Sequence, residues 1–137
     1  MPPDAVRQAD CREWLARAGD DLGAAADLLG LPAPRIRAVL FHCQQATEKA
    51  LKGFLTWHDQ PFAKTHDLRR IGRQCANLDP TLELLLSRAA ALTDYAARFR
   101  YPGEPYEPSP EEAATALELA RETVAAVLER LPGEVRP

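Results

Sequence analysis

No hydrophobic run in this sequence approaches the roughly 20 residues that a membrane-spanning helix requires. The opening residues, MPPDAVRQADCREW, carry acidic side chains and no apolar core segment, so they do not read as a secretory signal. Cysteine is scarce. Cys11, Cys43 and Cys75 are odd in number and far apart, and no C-x-x-C occurs, a pattern that suits free, mostly buried thiols in a reducing cytoplasm. Alternation of β-branched residues is missing, so no strand is expected. There is no internal repeat, no glycine-rich phosphate loop and no serine-nucleophile motif. His42, His58 and His66 have no Cys, Asp or Glu at recognised ligand spacing, so no metal site is expected, and no motif implies a cofactor.

What is present is an ordinary soluble balance of 46% hydrophobic and 27% charged residues in 137 positions. That length suits one domain, residues 1–137 with a core over about 10–131, able to fold without a metal or a disulfide. Net charge is uneven along it. Residues 1–34 carry −3, residues 35–75 carry +5 and residues 76–137 carry −5. The cationic middle can attract phosphate, or it can pair with the acidic flanking helices.

Apolar spacing predicts helix after helix. The first covers residues 10–29 with Asp10 as N-cap, and Gly30 and Pro32 end it. The second opens with Pro34 in its first turn and carries a broad apolar face from Ile36 to Leu55. A short third helix follows Thr65, read as its N-cap, and ends near Cys75 or Asn77. The fourth starts at Pro80 behind Asp79 and carries its apolar face as far as Phe99. The prolines and glycine of RYPGEPYEPS break it. The fifth opens at SPEE, with Ser109 as N-cap, Pro110 at the first helical position and Glu112 completing a capping box. The expectation is an all-α, up-and-down four-helix-type bundle with an additional short helix.

Three stretches hold the polar residues that could carry chemistry. On the second helix His42, Gln45, Lys49 and Lys52 share one stripe, and Glu48 lies four residues before Lys52. The stripe is either a solvated face with exposed ion pairs, each worth about 0.3–0.5 kcal/mol, or the lining of a phosphate-binding groove. Arg35 and Arg37 precede His42 with six and four intervening residues, which resembles the loose Arg-x(4–6)-His pattern of some small helical ribonucleases, where arginine would hold phosphate and histidine move a proton. In KTHDL, residues 64–68, capping accounts for Thr65 and Asp67 but not for Lys64 or His66. In DYAARFRYPG, residues 94–103, Arg98, Arg100 and Tyr101 crowd a helix end, where basic groups suit the negative pole of the helix.

Taken in order, EWLARAGDDLGAAADLL, FHCQQATEKALKGFL, KTHDL and RFRYP resemble the HEPN domain family over nearly the whole chain. The resemblance implies a helical bundle that commonly forms a homodimer. It also implies an association with nucleotide or RNA. Pairing with a minimal nucleotidyltransferase is implied as well, in a toxin–antitoxin or defence pair. The family-like positions are His42, Gln45, Glu48, Lys49, Lys52, Thr65, His66, Asp67, Arg100 and Tyr101. Some branches are metal-independent ribonucleases with an Arg-x(4–6)-His motif on a late helix. Here no histidine follows His66, so that motif has no counterpart near RFRYP. Three functions follow as expectations. The first is a binding module using Gln45, Lys49, Lys52, Lys64, His66, Arg100 and Tyr101. The second is a ribonuclease with His42 or His66 as acid or base. The third is a structural adaptor for another chain.

Overall fold

The computed structural model describes residues 3–99 and 101–137. Among them the chain is all helical. Five α-helices run in order: α1 (Pro3–Leu29), α2 (Ile36–Trp57), α3 (Leu68–Leu78), α4 (Glu83–Ala89) and α5 (Pro110–Glu129). Short 3-10 turns flank α4 at Pro80–Leu82 and Ala90–Ala96, and another closes the chain at Gly133–Val135. None of the described helices is long and apolar enough to cross a membrane.

The second helix is the axis of the bundle. Thirteen of its 22 residues are buried, and it packs on α1, α3, α5 and the Ala90–Ala96 turn. Helices α1 and α2 run antiparallel, since Trp14 and Leu15 meet the C-terminal half of α2 while Asp21 meets residues nearer its start. Gly53 lets them close. A Cβ there would stand 3.2 Å from both the Leu15 and Trp14 side chains, tighter than ordinary van der Waals contact. Leu15, Leu40, Leu51, Phe54, Leu55, Leu68 and Ile71 fill the centre, each at most 2% exposed. All three cysteines are free and buried, and burial pushes Cys11 up to about 11 and Cys43 and Cys75 up to about 12.

Several boundaries fall elsewhere than the sequence patterns suggest, each for a local reason. The first helix starts at Pro3, so Asp10 lies inside it rather than capping it. The added turns are held by Arg7, which pairs with Asp4 one turn back and reaches Asp59 at 3.9 Å. Pro34 stands outside α2, because the Arg35 amide donates to Leu28 O at 3.3 Å and ties the connection to the end of α1 before α2 begins. The N-cap of α3 is Asp67, whose carboxylate accepts from the Arg69 amide at 3.0 Å. Thr65 makes the turn before it, its hydroxyl accepting from the Asp67 amide at 3.1 Å.

Asp79 does cap the next element, but that element is no single helix. The Thr93 hydroxyl accepts from the Leu68 amide at 3.2 Å and donates to Ala90 O at 2.7 Å, three residues back, in register with the tighter 3-10 spacing found there. Ser109 caps α5 as expected, accepting from the Glu112 amide at 3.1 Å. The capping box stays half made, because the Glu112 carboxylate accepts from the Tyr95 and Tyr106 hydroxyls at 2.8 and 2.7 Å.

Candidate functional site

A polar strip runs along α2 between α1 on one side and residues 61–67 on the other. The strip is not the solvated face that its composition allowed. Glu48 is 4% exposed, Lys52 8% and Asp21 8%, and Gln44 is fully buried. Charges this deep persist only when paired and hydrogen-bonded. Both carboxylates meet that condition in the same way, each taking one histidine and one lysine.

On the α1 side, the Asp21 carboxylate accepts from His42 Nδ1 at 2.7 Å and from Lys49 Nζ at 2.6 Å. On the other side, Glu48 Oε1 accepts from His66 Nδ1 at 2.7 Å and from Gln44 Nε2 at 3.0 Å, while Glu48 Oε2 accepts from Lys52 Nζ at 3.0 Å. Gln44 also donates to His66 O at 3.2 Å, fixing the backbone that carries the imidazole. Gln45 lies between the two halves and donates to Gln44 Oε1 at 2.7 Å. The Lys52 ammonium sits 5.6 Å from the Trp14 ring centre and 5.5 Å from that of Phe62. Burial alone would raise the Glu48 carboxyl, but the bonds from Gln44, His66 and Lys52 outweigh it and hold the group below its ordinary value.

Arg35 stands exposed at the N-cap of α2, and the contacts locate the other residues singled out in the sequence. His42, Gln45, Lys49, Lys52 and His66 belong to the strip. Lys49 and Lys52 are already matched by carboxylates, and Lys52 is enclosed. Lys64 is exposed, one step outside the strip. His66 has its ring 61% exposed with Nδ1 committed to Glu48, which leaves Nε2 directed away from that bond. Arg37, five residues before His42, does not serve it. Its guanidinium pairs with Glu107 and lies 5.7 Å from the Phe99 ring centre.

The segment ending at Phe99 therefore lies near the start of α2, and KTHDL reaches α2 two to three turns further on. Residues 37, 44 and 48 lie along one side of the helix, so both segments flank that side at different heights. Tyr101 is 69% exposed, and Arg100 lies outside the described residues. Arg98 pairs with Glu104 at 3.5 Å and lies over Tyr106.

Asp21, Gln44, Trp14 and Phe62 complete the strip and were not singled out as site residues from sequence. The signal for Asp21 was a carboxylate on the buried row formed by Cys11, Leu15, Ala18 and Ala25. Chemically, the strip presents two imidazoles, each oriented by a carboxylate through Nδ1, with the other nitrogen able to accept or donate a proton. Among the described residues no group of three or more His, Cys, Asp or Glu could hold a metal ion.

A helical bundle built on one central helix, with a polar strip facing the THDL segment, places the chain in a definite class. The HEPN domain model matches residues 11–131, and the chain belongs to the HEPN domain family. Among solved structures it is similar to TT1696 from Thermus thermophilus, at 34% identity and a TM-score of 0.73, over 88% of this chain and 98% of that one. No curated protein matches the chain.

Proposed function

We propose that this HEPN module binds the phosphate of a nucleotide or an RNA at the open edge of the α2 strip. The observation that carries the reading is the Glu48–His66 pair. A buried carboxylate, held ionised by three donors, fixes one nitrogen of a largely exposed imidazole and leaves the other for a ligand. Lys64 supplies positive charge beside it, and Gln45 supplies an amide. Lys49 and Lys52 act one step back, through Asp21 and Glu48. Tyr101 offers an exposed ring for stacking on a base, with Arg100 beside it in sequence. Family membership supports assembly as a homodimer and pairing with a minimal nucleotidyltransferase, in a toxin–antitoxin or defence pair, within the cytoplasm.

A ribonuclease reading draws on the same pair. An imidazole oriented by a carboxylate can take or give a proton at a ribose hydroxyl without a metal. Thermal unfolding with ATP, GTP and a short RNA tests both readings. A ligand at about 100 times its Kd adds roughly 2.7 kcal/mol, several degrees for a chain of this size. The shift is expected in the unaltered protein and lost in Lys64→Ala/His66→Gln. A gel of the recovered RNA separates binding from cleavage. Absence of a shift with all three ligands would discard the phosphate reading in favour of an adaptor for another chain.

A further inference from the structure

A cleft of about 580 Å³ lies between α3 and the Pro80–Ala90 stretch that includes α4, and it shares no residue with the α2 strip. Its size falls in the range of small-molecule sites, about 300–1,000 Å³. Leu68, Ile71, Gly72 and Cys75 are the buried face of α3, which turns Arg69 and Arg73 outward onto the cleft wall. The two arginines are one helical turn apart, with Cβ atoms about 5–6 Å from each other.

Their charge is poorly matched within the chain. Arg73 has no carboxylate partner among the described residues, and Arg69 has only Asp67 at 3.9 Å, with both side chains well exposed. Arg17, Arg88 and Arg130, by contrast, meet carboxylates at 2.8, 3.1 and 2.8 Å. Part of the cleft floor is apolar. Ala76 and Leu86 line that part, beside Gly72, where α3 lies close enough to α4 that a Cβ would stand 3.5 Å from Leu86 Cβ.

The geometry points to a second, separate ligand site here, one that takes a phosphate monoester with an apolar or aromatic body. Two guanidiniums one turn apart match a dianion, and a single carboxylate would leave one of them unanswered. Glu83 stands on the α4 side of the cleft and repels an anion, which directs the phosphate to the α3 wall and the body across the floor. The Asn77 amide and the Ser87 hydroxyl offer neutral hydrogen bonds at the rim. The site stands whether or not the α2 strip binds phosphate.

Phenyl phosphate is the probe, titrated into the full chain by calorimetry, with inorganic phosphate and phenol as the two halves of the ligand. Phenyl phosphate is expected to bind at least roughly tenfold more tightly than either half. Arg73→Glu and Ala76→Leu should each weaken it by about tenfold or more, the first by reversing charge and the second by filling the floor. Glu83→Gln should tighten it. Arg17→Glu, a change of the same charge on α1, which lines none of this cleft, should leave it within about twofold. Helical circular dichroism of each variant checks that the fold is kept. Binding of phenyl phosphate no tighter than inorganic phosphate would reduce the site to surface charge and overturn the proposal. So would a titration that ignores both Arg73→Glu and Ala76→Leu, and so would the absence of any binding.

Discussion

Replacing Glu48 by glutamine keeps the shape of the side chain and removes its charge. The Lys52 ammonium then stays in a site where its side chain is only 9% exposed, and among the described residues it pairs with no other carboxylate. Removing one partner of a buried ion pair costs about 3–5 kcal/mol. The Trp14 and Phe62 rings remain near the ammonium and give back up to about 2 kcal/mol, and the glutamine retains some hydrogen bonding. The expected loss is therefore about 2–4 kcal/mol, read from urea unfolding midpoints at neutral pH. Glu48→Leu/Lys52→Met should recover much of it, because an apolar pair of similar volume avoids the uncompensated charge.

Acid gives a second reading of the same group. Its carboxyl lies below its ordinary value in the folded chain, so the stability it adds is complete above the unfolded value of about 4.3 and is lost as pH falls through the folded one. Unaltered protein should lose stability over that window more steeply than Glu48→Gln. A loss in Glu48→Gln below about 0.5 kcal/mol, with an unchanged acid slope, would show that the pair behaves like an exposed surface pair and would refute this description of the strip.

Other outcomes follow from single contacts. Asp67→Ala should cost about 1 kcal/mol as a lost N-cap, and Thr65→Val less, since the hydroxyl serves only the preceding turn. The reverse order in thermal melts would return the cap to Thr65. With thiols raised to about 11 and 12, Cys11, Cys43 and Cys75 should resist a thiol reagent at pH 8 in the folded chain and react at once in denaturant, counted by mass spectrometry. Asp21→Asn should destabilise by about 2–4 kcal/mol through the stranded Lys49 and His42, with denaturant melts as the measure. A cost near zero would place that cluster in solvent.

The helical class was legible because apolar residues recur at helical spacing in every long segment, and capping residues such as Asp79 and Ser109 announce two of the starts. The fourth helix read too long because its apolar face continues unbroken in sequence to Phe99. The break there depends on Thr93 bonding to Leu68, a contact between residues 25 apart that no local pattern encodes. The polar stripe of α2 was visible, but its burial was not. Trp14 on α1 and Phe62 in the following turn stand over the Lys52 ammonium, and both read as ordinary apolar residues until the chain is folded. Lys49 looked like a phosphate ligand for the same reason, since its partner Asp21 lies 28 residues earlier.

The closeness of α1 and α2 at Gly53 has an effect beyond packing. The Trp14 side chain that a Cβ at position 53 would strike is the one whose ring faces the Lys52 ammonium. A hydrogen atom at this position thus sets the gap between the two helices that carry Asp21 and its lysine and histidine. A methyl group there would press on the Leu15 and Trp14 side chains, which would have to give by a few tenths of an ångström beside the bonds that Asp21 makes to α2. Position 53 thus bears on the site through Trp14, while touching none of its polar atoms.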